Sequence, residues 1–109
     1  MNEKKLRGLM GLCVRAGQGI FGEDSCLKAL RNGQAALLMM DGDISGNSRG
    51  RYEEAGRKAG IPVSILPAGF LEETTGKPGM AMAVRPGGFA EQMIRCLGEK
   101  PGSEEPHTI

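Results

Sequence analysis

Tryptophan is absent from this chain, tyrosine occurs once, at Tyr52, and three phenylalanines complete an aromatic content of 4%. A core with so few rings is a lean one, and 18 glycines thin it further. Seven methionines, with Leu, Ile, Val and Ala, have to fill it. Histidine also occurs once, at His107 in a polar C-terminal stretch. That removes most metal coordination and most acid–base chemistry near neutral pH. The three cysteines, Cys13, Cys26 and Cys96, are an odd number without CxxC spacing. A disulfide framework or zinc site is not expected, and reduced thiols in a cytoplasmic core are the simplest account. No long apolar run is present: the longest, residues 35–40, is far short of the roughly 20 that a bilayer requires. The opening MNEKKLRGLM mixes charge with apolar residues and reads as an amphipathic helix rather than a signal peptide.

Charge of one sign is also scarce. The net charge is +1, unevenly spread. Residues 98–109 carry Glu99, Glu104 and Glu105 against Lys100, a net of −2, which leaves residues 1–97 at +3. A mildly basic body with an acidic tail permits RNA binding without demanding it.

What is present is the pattern of one α/β domain. With 109 residues the chain suits a single domain, in which roughly 60–70% of the unfolded surface becomes buried. Leu6, Leu9, Met10 and Cys13 form a helical stripe, stopped by Gly17. Residues 17–21 suit a short strand. A second helix starts near Gly22, with Glu23 and Asp24 in its first turn, a buried stripe of Cys26, Leu27 and Leu30, and Gly33 as its stop. Residues 35–40 suit a central strand covered on both faces. Residues 41–48 read as a loop in which Asp43 or Ser45 caps an exposed third helix reaching Ala59, weakened by Gly50 and Gly56. Val63–Leu66 is a further buried strand, residues 70–74 a short helix, and Gly76, Lys77, Pro78 and Gly79 a loop. Residues 80–84 form a strand, and Ala90, Met93, Ile94 and Leu97 are the stripe of a last helix. From residue 98 onward the composition predicts a disordered tail after a 1–97 domain. Helices alternating with short strands predict an α/β fold, a three-layer α/β/α sandwich with a small mixed or mostly parallel sheet.

Three short motifs do not survive their context. Gly17-x-Gly19-x-x-Gly22 matches a dinucleotide fingerprint, but a helix precedes it and no βαβ unit supplies the acidic partner. Ser25-x-x-Lys28 spells a penicillin-enzyme motif without the companion motifs or the chain length. Adjacent Glu53 and Glu54 cannot face one another on a helix, and are expected to pair with Arg57 and Lys58 on a solvated surface. Cys26 lies on an apolar stripe and reads as core. Two loops remain. The helix start at residues 22–28 offers free N–H groups with Lys28 one turn in, which suits either a phosphate or an ordinary cap. Residues 74–80 are glycine-containing and carry Lys77.

The whole run is more specific than its parts. Leu9-x-x-Leu12-x-x-Arg15-Ala16-Gly17, then Gly22-Glu23, then Lys28-Ala29-Leu30-x-x-Gly33-x-Ala35-x-Leu37-Leu38, resembles the ribosomal protein L-seven-Ae / L-thirty-e superfamily. Asp43-x-Ser45-x-Asn47, Gly60-Ile61-Pro62-Val63, Leu71 and Gly76-Lys77 continue the pattern. The likeness spans residues 4–97 and is strongest to the short bacterial YlxQ-like members. It implies the same three-layer sandwich, no enzymatic activity, and no cofactor or metal. It also implies a cytoplasmic ribonucleoprotein role, with kink-turn or ribosomal RNA as partner beside ribosomal or RNA-processing proteins, and no membrane. By position it implicates Gly22, Glu23, Asp24, Ser25 and Lys28 in RNA binding, with Asp43 beside them and Gly76, Lys77, Pro78, Gly79 and Met80 as a second loop over an extruded nucleotide. The chain departs from the archaeal and eukaryotic members at Asp24-Ser25, where they carry Asn-Glu, and at Phe21, where a basic residue often precedes the glycine. The alternative is a protein-interaction module on the same fold with weak or lost RNA affinity.

Overall fold

The computed structural model describes residues 1–98. In chain order the elements are α1 (Glu3–Arg15), β1 (Gly19–Phe21), α2 (Glu23–Arg31), β2 (Leu37–Asp41), α3 (Gly46–Ala59), β3 (Val63–Leu66), α4 (Phe70–Thr75), β4 (Ala81–Val84) and α5 (Gly88–Gly98). The tail expected from residue 98 lies, apart from Gly98 at the end of α5, outside the described residues.

The strands form one sheet in the order β1-β4-β2-β3. β2 pairs with β3 in parallel, while β4 runs antiparallel to both β1 and β2. The sheet is therefore mixed, with one parallel pair, joined through α3 because parallel neighbours need a crossover. β3 is an edge strand. Only Leu66 in it is buried and Ile65 is 43% exposed, which corrects the expectation of a fully covered strand.

The sheet separates two apolar layers, as strand alternation requires. Leu37 and Met39 of β2 and Met82 and Val84 of β4 face α1, α4 and α5, meeting Leu6, Met10, Phe70, Leu71, Met93 and Cys96. Leu38 and Met40, with the small Ala81 and Ala83, face α2 and α3, meeting Cys26, Ala29, Leu30 and Tyr52. Four of the five methionines in these cores fill the first layer, and alanines narrow the second. All three cysteines are buried, and none is in a disulfide. Burial pushes Cys13 and Cys26 up to about 11, so both stay protonated and unreactive.

Helix α3 is more firmly seated than its polar sequence suggests. Tyr52 and Gly56 are buried, and a Cβ on Gly56 would run into Cγ2 of Val63 on β3. Its cap is Ser45, whose hydroxyl accepts from the Ser48 N–H at 3.2 Å. Of the two expected surface pairs, Glu54 with Lys58 forms and Glu53 with Arg57 does not. Glu53 pairs with Arg49 at 3.0 Å rather than with Arg57, which turns to Glu54 at 2.9 Å, while Lys58 reaches Glu54 at 3.6 Å.

Candidate functional site

Three connections meet at one end of the sheet, and a buried carboxylate organises them. Asp41, the last residue of β2, is 3% exposed. Its Oδ1 accepts from the Asp43 N–H at 2.8 Å, and its Oδ2 accepts from the Gly69 N–H at 2.9 Å. Its own N–H donates to the Met80 carbonyl at 2.8 Å. One residue thus ties together the loop after β2, the loop before α4 and the loop before β4. Gly42 completes the joint, because a Cβ there would stand 2.9 Å from the Leu66 carbonyl oxygen.

Helix α2 opens beside this joint. Gly22, at φ +91, turns the chain from β1 into the helix in a conformation that L side chains rarely adopt. It supplies no side-chain cap, so the first-turn N–H groups of α2 carry no capping acceptor. Glu23 reaches across to α3 instead. Its Oε2 accepts from Arg51 at 2.7 and 2.8 Å, and its Oε1 from the Ser48 hydroxyl at 3.2 Å. This pairing is more than one-third exposed on both partners, so it orients Glu23 more than it stabilises the fold.

Between these elements lies a cavity of about 450 Å³. Of the residues implicated by the resemblance, Gly22, Glu23, Asp43, Gly79 and Met80 line it. Asp24, Ser25 and Lys28 are exposed on α2 outside the lining, as are Gly76, Lys77 and Pro78 in the loop before β4. Gly76 caps α4 at φ +72, and the Lys77 N–H donates to Thr75 Oγ1 at 3.1 Å. Ile44, Ser48, Tyr52 and Ala81 also line it, and none of them was expected there from the sequence. A signal existed for Tyr52: the sole tyrosine, in an otherwise polar helix. Burial pushes its phenol above the usual range, with the Cys26, Glu23 and Asp24 side chains adding to the shift and Arg51 opposing it.

A second cleft, of about 490 Å³, lies between α2 and α3 over Leu27, Leu30, Ala55 and Ala59. It contains none of the implicated residues and meets the site only through Arg51. Among the described residues no cluster of His, Cys, Asp or Glu is arranged to hold a metal ion, and no helix is long and apolar enough to cross a membrane.

No protein-family model and no curated protein matches the chain. Solved structures do. A protein of unknown function from Bacillus halodurans C superposes with a TM-score of 0.82 at 27% identity, over 87% of this chain and 98% of that one. The Giardia lamblia 15.5kD RNA binding protein follows at 0.66 and 14%, over 84% and 83%. The Thermoplasma acidophilum Pelota protein reaches 0.62 and 15% over 77% of this chain and 28% of its own. The fold is therefore shared with these proteins, in agreement with the α/β/α sandwich read from the sequence.

Proposed function

We propose that this chain is a non-enzymatic RNA-binding protein that recognises bent, kink-turn-like RNA with the end of the sheet where α2 begins, as a cytoplasmic accessory of a ribosomal or other ribonucleoprotein particle. The observation that carries the proposal is the convergence of Gly22, Glu23, Asp43, Gly79 and Met80, from three separate segments, on one cavity. The likeness in fold to a Giardia RNA binding protein supports it. So does the chemistry. A kinked RNA exposes base edges and unstacked bases that a duplex hides. The uncapped start of α2 offers N–H groups to its backbone, and Met80, 47% exposed, offers an apolar face to a base.

A gel shift against a kink-turn and a straight duplex, at two salt concentrations, tests the reading: the bent RNA is expected to shift at lower protein concentration. Lys28→Ala and Lys77→Ala are each expected to weaken binding and to lower its salt slope by about one unit, the signature of one lost phosphate contact. Unchanged affinity and slope would place the RNA surface elsewhere.

Asp24 gives a gain-of-function test. Its exposed carboxylate in the first turn of α2 suits the helix dipole by about 0.3–1 kcal/mol. Near phosphates the same charge is unfavourable, and a carboxylate donates no hydrogen bond. Asp24→Asn is expected to tighten kink-turn binding by about 1–2 kcal/mol, with a small loss of thermal stability. Weaker binding by the Asn variant would mean that Asp24 accepts a hydrogen bond from the RNA. The three carboxylates Glu23, Asp24 and Asp43 around the start of α2 favour the second reading, a protein-interaction module. That reading prevails if neither form binds any bent RNA.

A further inference from the structure

At β3 the sheet ends in backbone groups that have no partner among the described residues. The Leu38 N–H donates to the Pro62 carbonyl at 3.1 Å, which fixes the phase of the β2–β3 ladder. Along a strand, successive residues point their N–H and C=O groups to alternate sides. Ser64 and Leu66 therefore bond to β2, while Val63 and Ile65 point theirs outward. The side chains alternate as well. Leu66 packs with the layer of α1, α4 and α5, and Val63 with the layer of α2 and α3. Ser64 thus shares the face of Leu66, and the exposed Ile65 shares the face of Val63. Edge strands ordinarily carry a charge, a bulge or a covering loop that keeps other strands away. Here no charged residue occurs between Lys58 and Glu72, in a chain that is 25% charged.

Two outward-pointing residues flanking one serine make this edge complementary to itself. In an antiparallel pairing about a twofold axis at Ser64, Val63 of one copy stands opposite Ile65 of the other, and Ile65 opposite Val63. Each pair exchanges both of its N–H···O=C bonds. The ladder stops there, because the Ile61 N–H is already bonded to the Gly56 carbonyl at 3.2 Å and Pro67 has no N–H. The exposed Ile65 gains the β-branched Val63 as its cross-strand neighbour. On the other face the small Ser64 meets its own copy. A twofold contact sets charges near their like, so a neutral edge suits a second copy, whereas a charged partner strand would find nothing here to complement. We propose that this protein self-associates through β3, joining two four-stranded sheets edge to edge into one continuous sheet across a twofold axis. The site at the start of α2 lies toward the Asp41 and Leu66 ends of β2 and β3. The twofold therefore sends the two sites to opposite ends of the joined sheet, and both stay open. The proposal does not depend on the RNA-binding reading above.

The test follows the full chain by sedimentation equilibrium from about 1 μM to about 1 mM. A ladder this short belongs to the small, transient class of contacts, below about 1,200 Å². A monomer–dimer equilibrium is therefore expected toward the upper end of that range. Ile65→Pro removes an outward N–H that β2 does not use, a place where an edge strand tolerates proline. It deletes one bond from each pair and should weaken the dimer about tenfold or more. Ile65→Lys places a charge on the edge and should leave the monomer. Thermal melts check that both variants fold. Ser64→Cys reads the register, because residues opposed at a non-hydrogen-bonded position stand about 4.5 Å apart at Cα, within disulfide reach. Mild oxidation should cross-link this variant and not Ile65→Cys, which would face Val63; the three native cysteines are buried. A monomer at every concentration overturns the proposal and leaves β3 open to a strand of another protein. A dimer that both Ile65 variants preserve, or cross-linking equally fast at positions 64 and 65, overturns it in favour of another surface.

Discussion

Asp41→Ala is expected to unfold the protein at a temperature lower by on the order of 12–24 °C. The carboxylate is buried and accepts from two backbone N–H groups, at Asp43 and Gly69. Hydrogen bonds to a charged group contribute about 1.5 kcal/mol or more each, so losing both costs about 3 kcal/mol. In a domain of this size each kcal/mol is worth about 4–8 °C. Asp41→Asn keeps the shape and one acceptor but turns an amide N–H₂ toward the second donor, so it should recover about half the loss. Circular dichroism melts of the three proteins decide the matter. A drop below about 4 °C for the alanine variant would mean that the loops hold together without this residue. Because the same carboxylate orders the loop carrying Asp43, and the Asp41 backbone N–H holds Met80, the alanine variant should also lose affinity in the RNA assays even where it remains folded.

Two glycines on α3 should respond to alanine with opposite signs. Gly→Ala in a helix interior ordinarily stabilises by about 1 kcal/mol. Gly50 faces open space and should show that gain. At Gly56 the new methyl meets Cγ2 of Val63, a β-branched side chain with little freedom at χ1. Overpacking of this kind costs about 1–3 kcal/mol and should outweigh the propensity gain. Denaturant midpoints measure both effects, and adding Val63→Ala to Gly56→Ala should restore part of the loss through direct coupling. If both single variants are stabilised, α3 does not rest on β3 at Gly56.

Periodicity carried most of the fold. Leu6, Met10 and Cys13 at helical spacing are all buried in α1, and the unbroken apolar run before Asp41 is the doubly covered β2. Glycine marked the ends, with Gly60 the left-handed cap of α3. The misreadings concern long-range neighbours. Val63–Leu66 has the composition of a central strand, but its place at the sheet edge depends on β4 entering beside β2 instead. Glu53 sits one turn from both Arg49 and Arg57, and spacing alone treats these partners as equal. Asp41 read as a loop residue because a carboxylate is rarely buried; two backbone N–H groups, one of them 28 residues away, make its burial tolerable.

The candidate site divides in the same way. Each of its segments was visible as chemistry: a glycine opening a helix with acidic residues behind it, an Asp-rich turn, a Gly-Lys-Pro-Gly loop. Local pattern reports which face of an element is buried, and so the sequence by itself determined the α/β class, the element boundaries to within two residues or so, and the core-facing stripes. It carries no measure of which segments, separated by tens of residues, come to lie side by side. Only the tertiary structure decided that β4 lies between β1 and β2. It alone brought Gly22, Asp43 and Gly79 around one space, turned Glu23 to Arg51, and set the buried Tyr52 in the lining of that space. These outcomes depend on how two apolar layers pack on a common sheet, a property of side-chain volumes across the whole chain rather than of any window within it.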